Sequence, residues 1–161
     1  MAAKTQTLMA DDGTAIKVQY ADLGNGFWAP AGFNAEGNLL PSAARTATLS
    51  TPNQTNPGAR GVILTLNVTA NPGGVETLTL QLQNMLPTDP TITQAIAASI
   101  VSAAASNGTY RLYVYPGASG ALPNAANNVC FPLPVARTWL ARVVHSASGS
   151  WTYSVDFQYC P

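Results

Sequence analysis

The residues able to do chemistry in this chain are few and scattered. His145 is the only histidine, and it sits beside Ser146 at the end of an alternating segment. Neighbours in a strand point to opposite faces, so a Ser–His nucleophilic pair here needs a local break in the strand. Asp156 is the acid that a hairpin could bring across from His145. The plainer role, a strand-end histidine capping its turn, asks for nothing further. Asp11 and Asp12 are the only adjacent carboxylates. Acid–base work or calcium binding needs further oxygen ligands, which this neighbourhood lacks, and Asp11-Asp12-Gly13 reads as a turn. Gly24-Asn25-Gly26 is followed by neither a lysine nor a helix in the required place, so it is not a phosphate loop. Arg60, Arg137 and Arg142 either pair with acids across a subunit interface or simply solvate a face, and an exposed pair contributes about 0–1 kcal/mol.

The two cysteines, Cys130 and Cys160, cannot make a metal site with one histidine. Two states stay open for them. A disulfide would close a loop of about 30 residues, worth roughly 3 kcal/mol by chain entropy, and would tie down the end of the chain. Two buried free thiols are the alternative, and suit a reducing compartment. No metal, cofactor or catalytic group is expected.

Composition narrows the function classes. Of 161 residues, 47% are hydrophobic and only 9% charged, against roughly 25% charged in an average domain. Seven basic residues balance seven acidic ones. Without a basic patch, neither nucleic acid nor anionic lipid is an expected partner. There is no apolar run of about 18 residues to span a membrane. The opening residues, Met1 to Thr7, carry no apolar core of a Sec-type signal peptide. A neutral surface has little self-repulsion and favours association.

Nearly every element that must position these residues reads as β-strand. Trp151–Tyr159 alternates without a miss: Trp151, Tyr153, Val155, Phe157 and Tyr159 fall on one face, Thr152, Ser154, Asp156 and Gln158 on the other. Gly61–Ala70 alternates on Val62, Leu64, Leu66 and Val68. Val75–Gln83 does so on Leu78, Leu80 and Leu82, Thr109–Tyr115 on Tyr110, Leu112 and Val114, and Arg137–His145 on Trp139, Ala141 and Val143. The turn Asn71-Pro72-Gly73-Gly74 predicts a hairpin, Asn107-Gly108 is a strong hairpin signal, and Ser146–Ser150 predicts a hairpin of the last two strands. Cys130–Val135, with two prolines, belongs at an edge or in no strand. Thr91–Ala105 has isoleucines at a helical spacing of four but sits between strand signals, which favours one or two short extended pieces, with a helical turn near Thr93–Ala98 as the alternative.

Residues 1–43 read differently. Gly and Pro break them every few positions, and only Thr14–Ala21 alternates. Phe27, Trp28 and Phe33 cluster on a segment too irregular for a regular element. Exposed aromatics of this kind call for something to pack on; a partner subunit is the expected cover, with packing back on the chain's own domain as the alternative. The chain therefore divides into an N-terminal docking arm, residues 1–43, and a β-sandwich domain, residues 44–161. The expected fold class is all-β: an antiparallel β-sandwich or jelly roll of about seven or eight strands with an extended N-terminal arm.

Five segments in order resemble small virion proteins of tailed bacteriophages: Ser42–Thr48, Gln54–Val62, Tyr113–Gly117, Leu133–Trp139 and Val144–Val155. The resemblance spans roughly residues 42–158 and departs in Ala95–Ala105 and at the cysteines. It implies a virion structural protein, made in the host cytoplasm and carried on the capsid exterior as a head decoration protein, with no catalytic residues. The implied partners are the major capsid protein and copies of the chain itself, as a homotrimer. The alternative is a tail fibre, head fibre or baseplate module that contacts host glycans through exposed aromatics such as Trp28, Tyr113 and Tyr115.

Overall fold

The structure, a computed structural model, describes residues 3–9, 15–22, 28–30, 36–56, 58–85, 93–102, 104, 106–118 and 126–160, with backbone alone over the first three stretches and 93–99. The chain forms two compact units, Met1–Asn34 and Ala35–Pro161.

In the first unit, β1 (Ala3–Met9), β2 (Ala15–Asp22) and β3 (Trp28–Pro30) make a three-stranded antiparallel sheet in the order β1-β2-β3. β2 takes up Ala15–Ala21 of the alternating stretch read from the sequence. Its partner β1 is mostly polar, and its hydrogen bonds are backbone bonds that need no apolar pattern.

The second unit is all β among the described residues. Its strands are β4 (Glu36–Arg45), β5 (Leu49–Ser50), β6 (Gln54–Thr55), β7 (Gly61–Ala70), β8 (Leu78–Met85), β9 (Thr93–Val101), β10 (Gly108–Val114), β11 (Asn128–Phe131), β12 (Thr138–His145) and β13 (Trp151–Cys160). They form two sheets, β11-β10-β7-β13-β4 and β5-β12-β8-β9, with β6 beside β12. All the pairings are antiparallel except β10 with β11. This is the expected β-sandwich. Thr91–Ala105 contributes the extended strand β9, and Cys130–Val135 contributes the short edge strand β11 followed by Pro132 and Pro134.

The apolar parity of each strand faces the other sheet. Val62, Leu64 and Leu66, Leu78, Leu80 and Leu82, Leu112 and Val114, Trp139, Ala141 and Val143, and Trp151, Tyr153 and Val155 are all 0% exposed. Trp139, Phe157 and Tyr159 form an edge-to-face trio with centroids 5.2 to 6.0 Å apart, worth about 0.5–1.5 kcal/mol per pair beyond burial. The polar tips of this trio are paired: Trp139 Nε1 donates to Tyr159 Oη (2.9 Å), which donates to the Thr55 carbonyl (2.9 Å).

Two sequence expectations are corrected. The turns at 71–74, 107–108 and 146–150 do not close hairpins. β7 and β8, β9 and β10, and β12 and β13 lie in different sheets, so each turn carries the chain over the core. Both arrangements satisfy the alternation, but the arch lets two apolar faces bury one another instead of lying side by side. The second correction concerns residues 36–43, read from sequence as part of the arm. They form most of β4, paired to β13. The two apparent breakers are both accommodated at this edge. Gly37 leaves room for the Phe157 ring, whose Cε1 would lie 2.8 Å from an added Cβ. Pro41 falls where the register slips between Ala43 and Leu40, a bulge on an edge strand.

Tyr159→Phe leaves the Trp139 indole N–H buried without its acceptor. We expect a loss of about 1–3 kcal/mol in urea unfolding, with the fold retained in far-ultraviolet circular dichroism.

Candidate functional site

Outward residues of β10, β7 and β13 build a concavity on the open face of the five-stranded sheet. About 470 Å³ is lined by Arg60, Ile63, Tyr113, Tyr115, Pro116 and Cys160. Tyr113 and Tyr115 share this face because they are two residues apart on one extended segment. The end of that segment is held by Tyr115 N–H donating to the Phe131 carbonyl (3.2 Å) and by Arg60 N–H donating to the Cys160 carbonyl (3.0 Å). Gly61 makes the arrangement possible. A Cβ there would collide with Tyr115 Cβ and with the Val114 carbonyl oxygen, so the Tyr115 backbone crosses where only glycine fits.

Both cysteines border this site as free thiols. Cys130 pairs with Tyr113 on β10, and Cys160 pairs with Gly61 on β7. Two strands lie between them, so their backbones are roughly 14 Å apart laterally, twice the reach of a disulfide. The Tyr115 phenol is pushed above its ordinary range, first by the charge of a Cys130 thiolate, then by burial, and then by its hydrogen bond to Cys130. Burial likewise raises the Cys160 thiol, which keeps it protonated and a weak nucleophile at neutral pH.

A second polar cluster closes one end of the sandwich. His145 Nε2 lies 3.1 Å from Tyr153 Oη, and its backbone N–H donates to Thr48 Oγ1 (3.1 Å). Arg45 donates to the carbonyl oxygens of Pro41 (2.6 Å), Ala43 (3.1 Å) and Tyr153 (2.6 Å), with its guanidinium 4.6 Å from the Tyr153 ring centroid. It thus gathers the carbonyls that the bulge turns aside. Ser146 Oγ accepts from Thr77 N–H (2.8 Å), so this hydroxyl is bonded away from His145. Asp156 accepts from Asn38 on the outer face (2.7 Å). The charges that act on His145 are Glu76 and Arg45.

Of the remaining candidates, Arg137 borders a shallow dent with Thr55, Asn56 and Gly58, and Arg142 Nε is buried without a hydrogen-bond partner among the described residues. Phe27 and Phe33, Asp11 and Asp12, and Gly24-Asn25-Gly26 lie outside the described residues. Trp28 opens β3, and only its backbone is described. Among the described residues no group of three or more His, Cys, Asp or Glu is placed to hold a metal, and no helix is long and apolar enough to cross a membrane. The groove was not found from the sequence. The alternation marked Tyr113 and Tyr115 as outward, but nothing in the text brings Arg60 and Cys160 beside them.

Burial holds the His145 imidazole below its ordinary range, Glu76 opposes this, and Arg45 adds to the lowering. The unfolded chain therefore takes up this proton first. Stability is whole above the unfolded value, about 6.5, and falls as the pH drops below it. We expect melting temperatures measured between pH 7.5 and 5 to fall less steeply for His145→Gln than for the parent. Gly61→Ala should cost about 1–3 kcal/mol through forced movement of Tyr115, read by thermal unfolding. Two thiols should titrate with a thiol reagent in denaturant without prior reduction.

No protein-family model and no curated protein matches this chain. Among solved structures it is similar to a chain in the structure of infectious bursal disease virus, Gx strain, at 13% sequence identity and a TM-score of 0.39. The match covers 88% of this chain and 37% of that one, so this chain spans little more than a third of the other's length. A likeness of this size assigns neither a family nor a role.

Proposed function

We propose that this chain is a virion structural protein, and specifically a decoration protein that binds the major capsid protein on the head exterior of a tailed bacteriophage. The observation that carries this reading is the long edge strand β4. No charged residue stands between Glu36 and Arg45 at its ends, and Ser42, Ala43 and Ala44 are exposed. Exposed edges are usually blunted by charge, especially lysine. Here Pro41 and its bulge interrupt one part, and among the described residues the strand has no partner on that side. The balanced charge of the whole sequence supports the same reading, since such a surface associates readily, and so do the five segments that resemble phage virion proteins.

Mechanism in this reading is clamping. The protein would sit as a homotrimer, with Phe27, Trp28 and Phe33 covering apolar ground on the capsid protein or a neighbouring copy. A standard specific interface buries about 1,600 Å², and repetition over a head multiplies the effect of modest contacts. No reaction is assigned to the protein.

The test is binding of the full chain to expanded heads with Phe27, Trp28 and Phe33 all replaced by alanine. We expect occupancy to fall at least tenfold, equivalent to about 1.4 kcal/mol, with the melting temperature of the sandwich preserved. Undiminished binding would overturn the docking role of these aromatics. A second reading, a fibre or baseplate module that touches host glycans, draws on the groove around Tyr113 and Tyr115. Copy number separates the two, with many copies over the head for decoration and a few at one vertex for a tail component.

A further inference from the structure

We infer that the groove on the five-stranded sheet is a binding site for an acidic saccharide, a sugar chain bearing carboxylates. The inference rests on the groove alone and holds for either placement in a virion. Tyr113 and Tyr115 offer two flat rings in succession along one segment, and Arg60 supplies the groove's charge beside them. Tyrosine faces are electron-rich and suit the C–H faces of a sugar ring. The guanidinium fork matches a carboxylate and can hold it through two parallel hydrogen bonds. Among the described residues no acidic side chain lines the groove.

The geometry favours a sugar over a peptide. β10, β7 and β13 are interior strands with partners on both sides. At the groove's rim the Tyr115 and Arg60 N–H groups are already donating to Phe131 and Cys160. A peptide that docks by strand addition needs free backbone groups at a sheet edge, and this site presents side chains instead, led by the two tyrosines and the guanidinium. The platform's backbone is also held in place. Gly61 lets the Tyr115 backbone lie close to β7, and the Tyr115 N–H is tied to the Phe131 carbonyl, so the chain that carries the rings is fixed before binding.

The experiment uses the full-length protein and saturation-transfer NMR with an oligogalacturonate as probe. Its methyl ester serves as the neutral counterpart, and inorganic phosphate and an oligoglutamate as competitors. We expect saturation transfer to the sugar C–H protons of the oligogalacturonate and at least tenfold weaker binding of the ester. Arg60→Gln should abolish that preference, and Arg60→Lys should keep part of it. Tyr113→Ala and Tyr115→Ala should each weaken binding about tenfold. Tyr115→Phe, which keeps the aromatic ring and loses only the hydroxyl, should bind more tightly than Tyr115→Ala, so that the difference between them reports the ring. Arg137→Gln, on the separate dent, should bind as the parent does. No transfer to either sugar, equal displacement by oligoglutamate or phosphate, or indifference to loss of both rings would each overturn the assignment.

Discussion

The burial of one strand's apolar face governs this sandwich. β13 lies between β7 and β4, and its five large inward groups meet residues from both sheets. Trp151, Tyr153 and Val155 are fully enclosed, while Phe157 and Tyr159 pack edge-to-face on Trp139. Each of these side chains stabilises by roughly 1.5–3 kcal/mol on leaving water. A shift of β13 by one residue would turn all five to solvent and bring Thr152, Ser154, Asp156 and Gln158 inside. Its register is therefore fixed by the core, and the registers of β7 and β4 are fixed with it.

The candidate surface features depend on that register. Once β13 is in place, Cys160 stands beside Gly61, and Gly61 decides where the Tyr115 backbone passes. Phe157 likewise determines that position 37 has no room for a side chain. The slip around Pro41 displaces carbonyl groups, and Arg45 collects them while lying over Tyr153. The open edge and the groove are thus by-products of core packing, held by contacts that the core dictates.

Much of the architecture was legible in the text because alternation has a direct physical meaning. A period of two places every second side chain on one face, and a row of Leu, Val and aromatic groups on that face must be covered. The inward residues of β7, β8, β10, β12 and β13 follow from this alone. The connections do not. Asn71-Pro72-Gly73-Gly74 reverses the chain whether the next strand bonds beside the first or faces it across the core. Only the packing of Leu78, Leu80 and Leu82 against the opposite sheet separates the two. Gly37 and Pro41 read as breakers for a similar reason, because the text does not reveal that β4 lies at an edge where both are tolerated.

The sequence by itself determined the all-β class, the inward face of the long strands, the exclusion of the segment around Cys130 from a sheet interior, and the scarcity of charge. These are local properties, written in side-chain type and in spacing of a few residues. Tertiary structure alone decided which strands share a sheet, that the two thiols stand apart, and that Arg60, Tyr113, Tyr115 and Cys160 meet in one groove. Those are contacts between residues as much as 100 positions apart. They are set by how two twisted sheets fill the space between them, and no spacing along the chain encodes that distance.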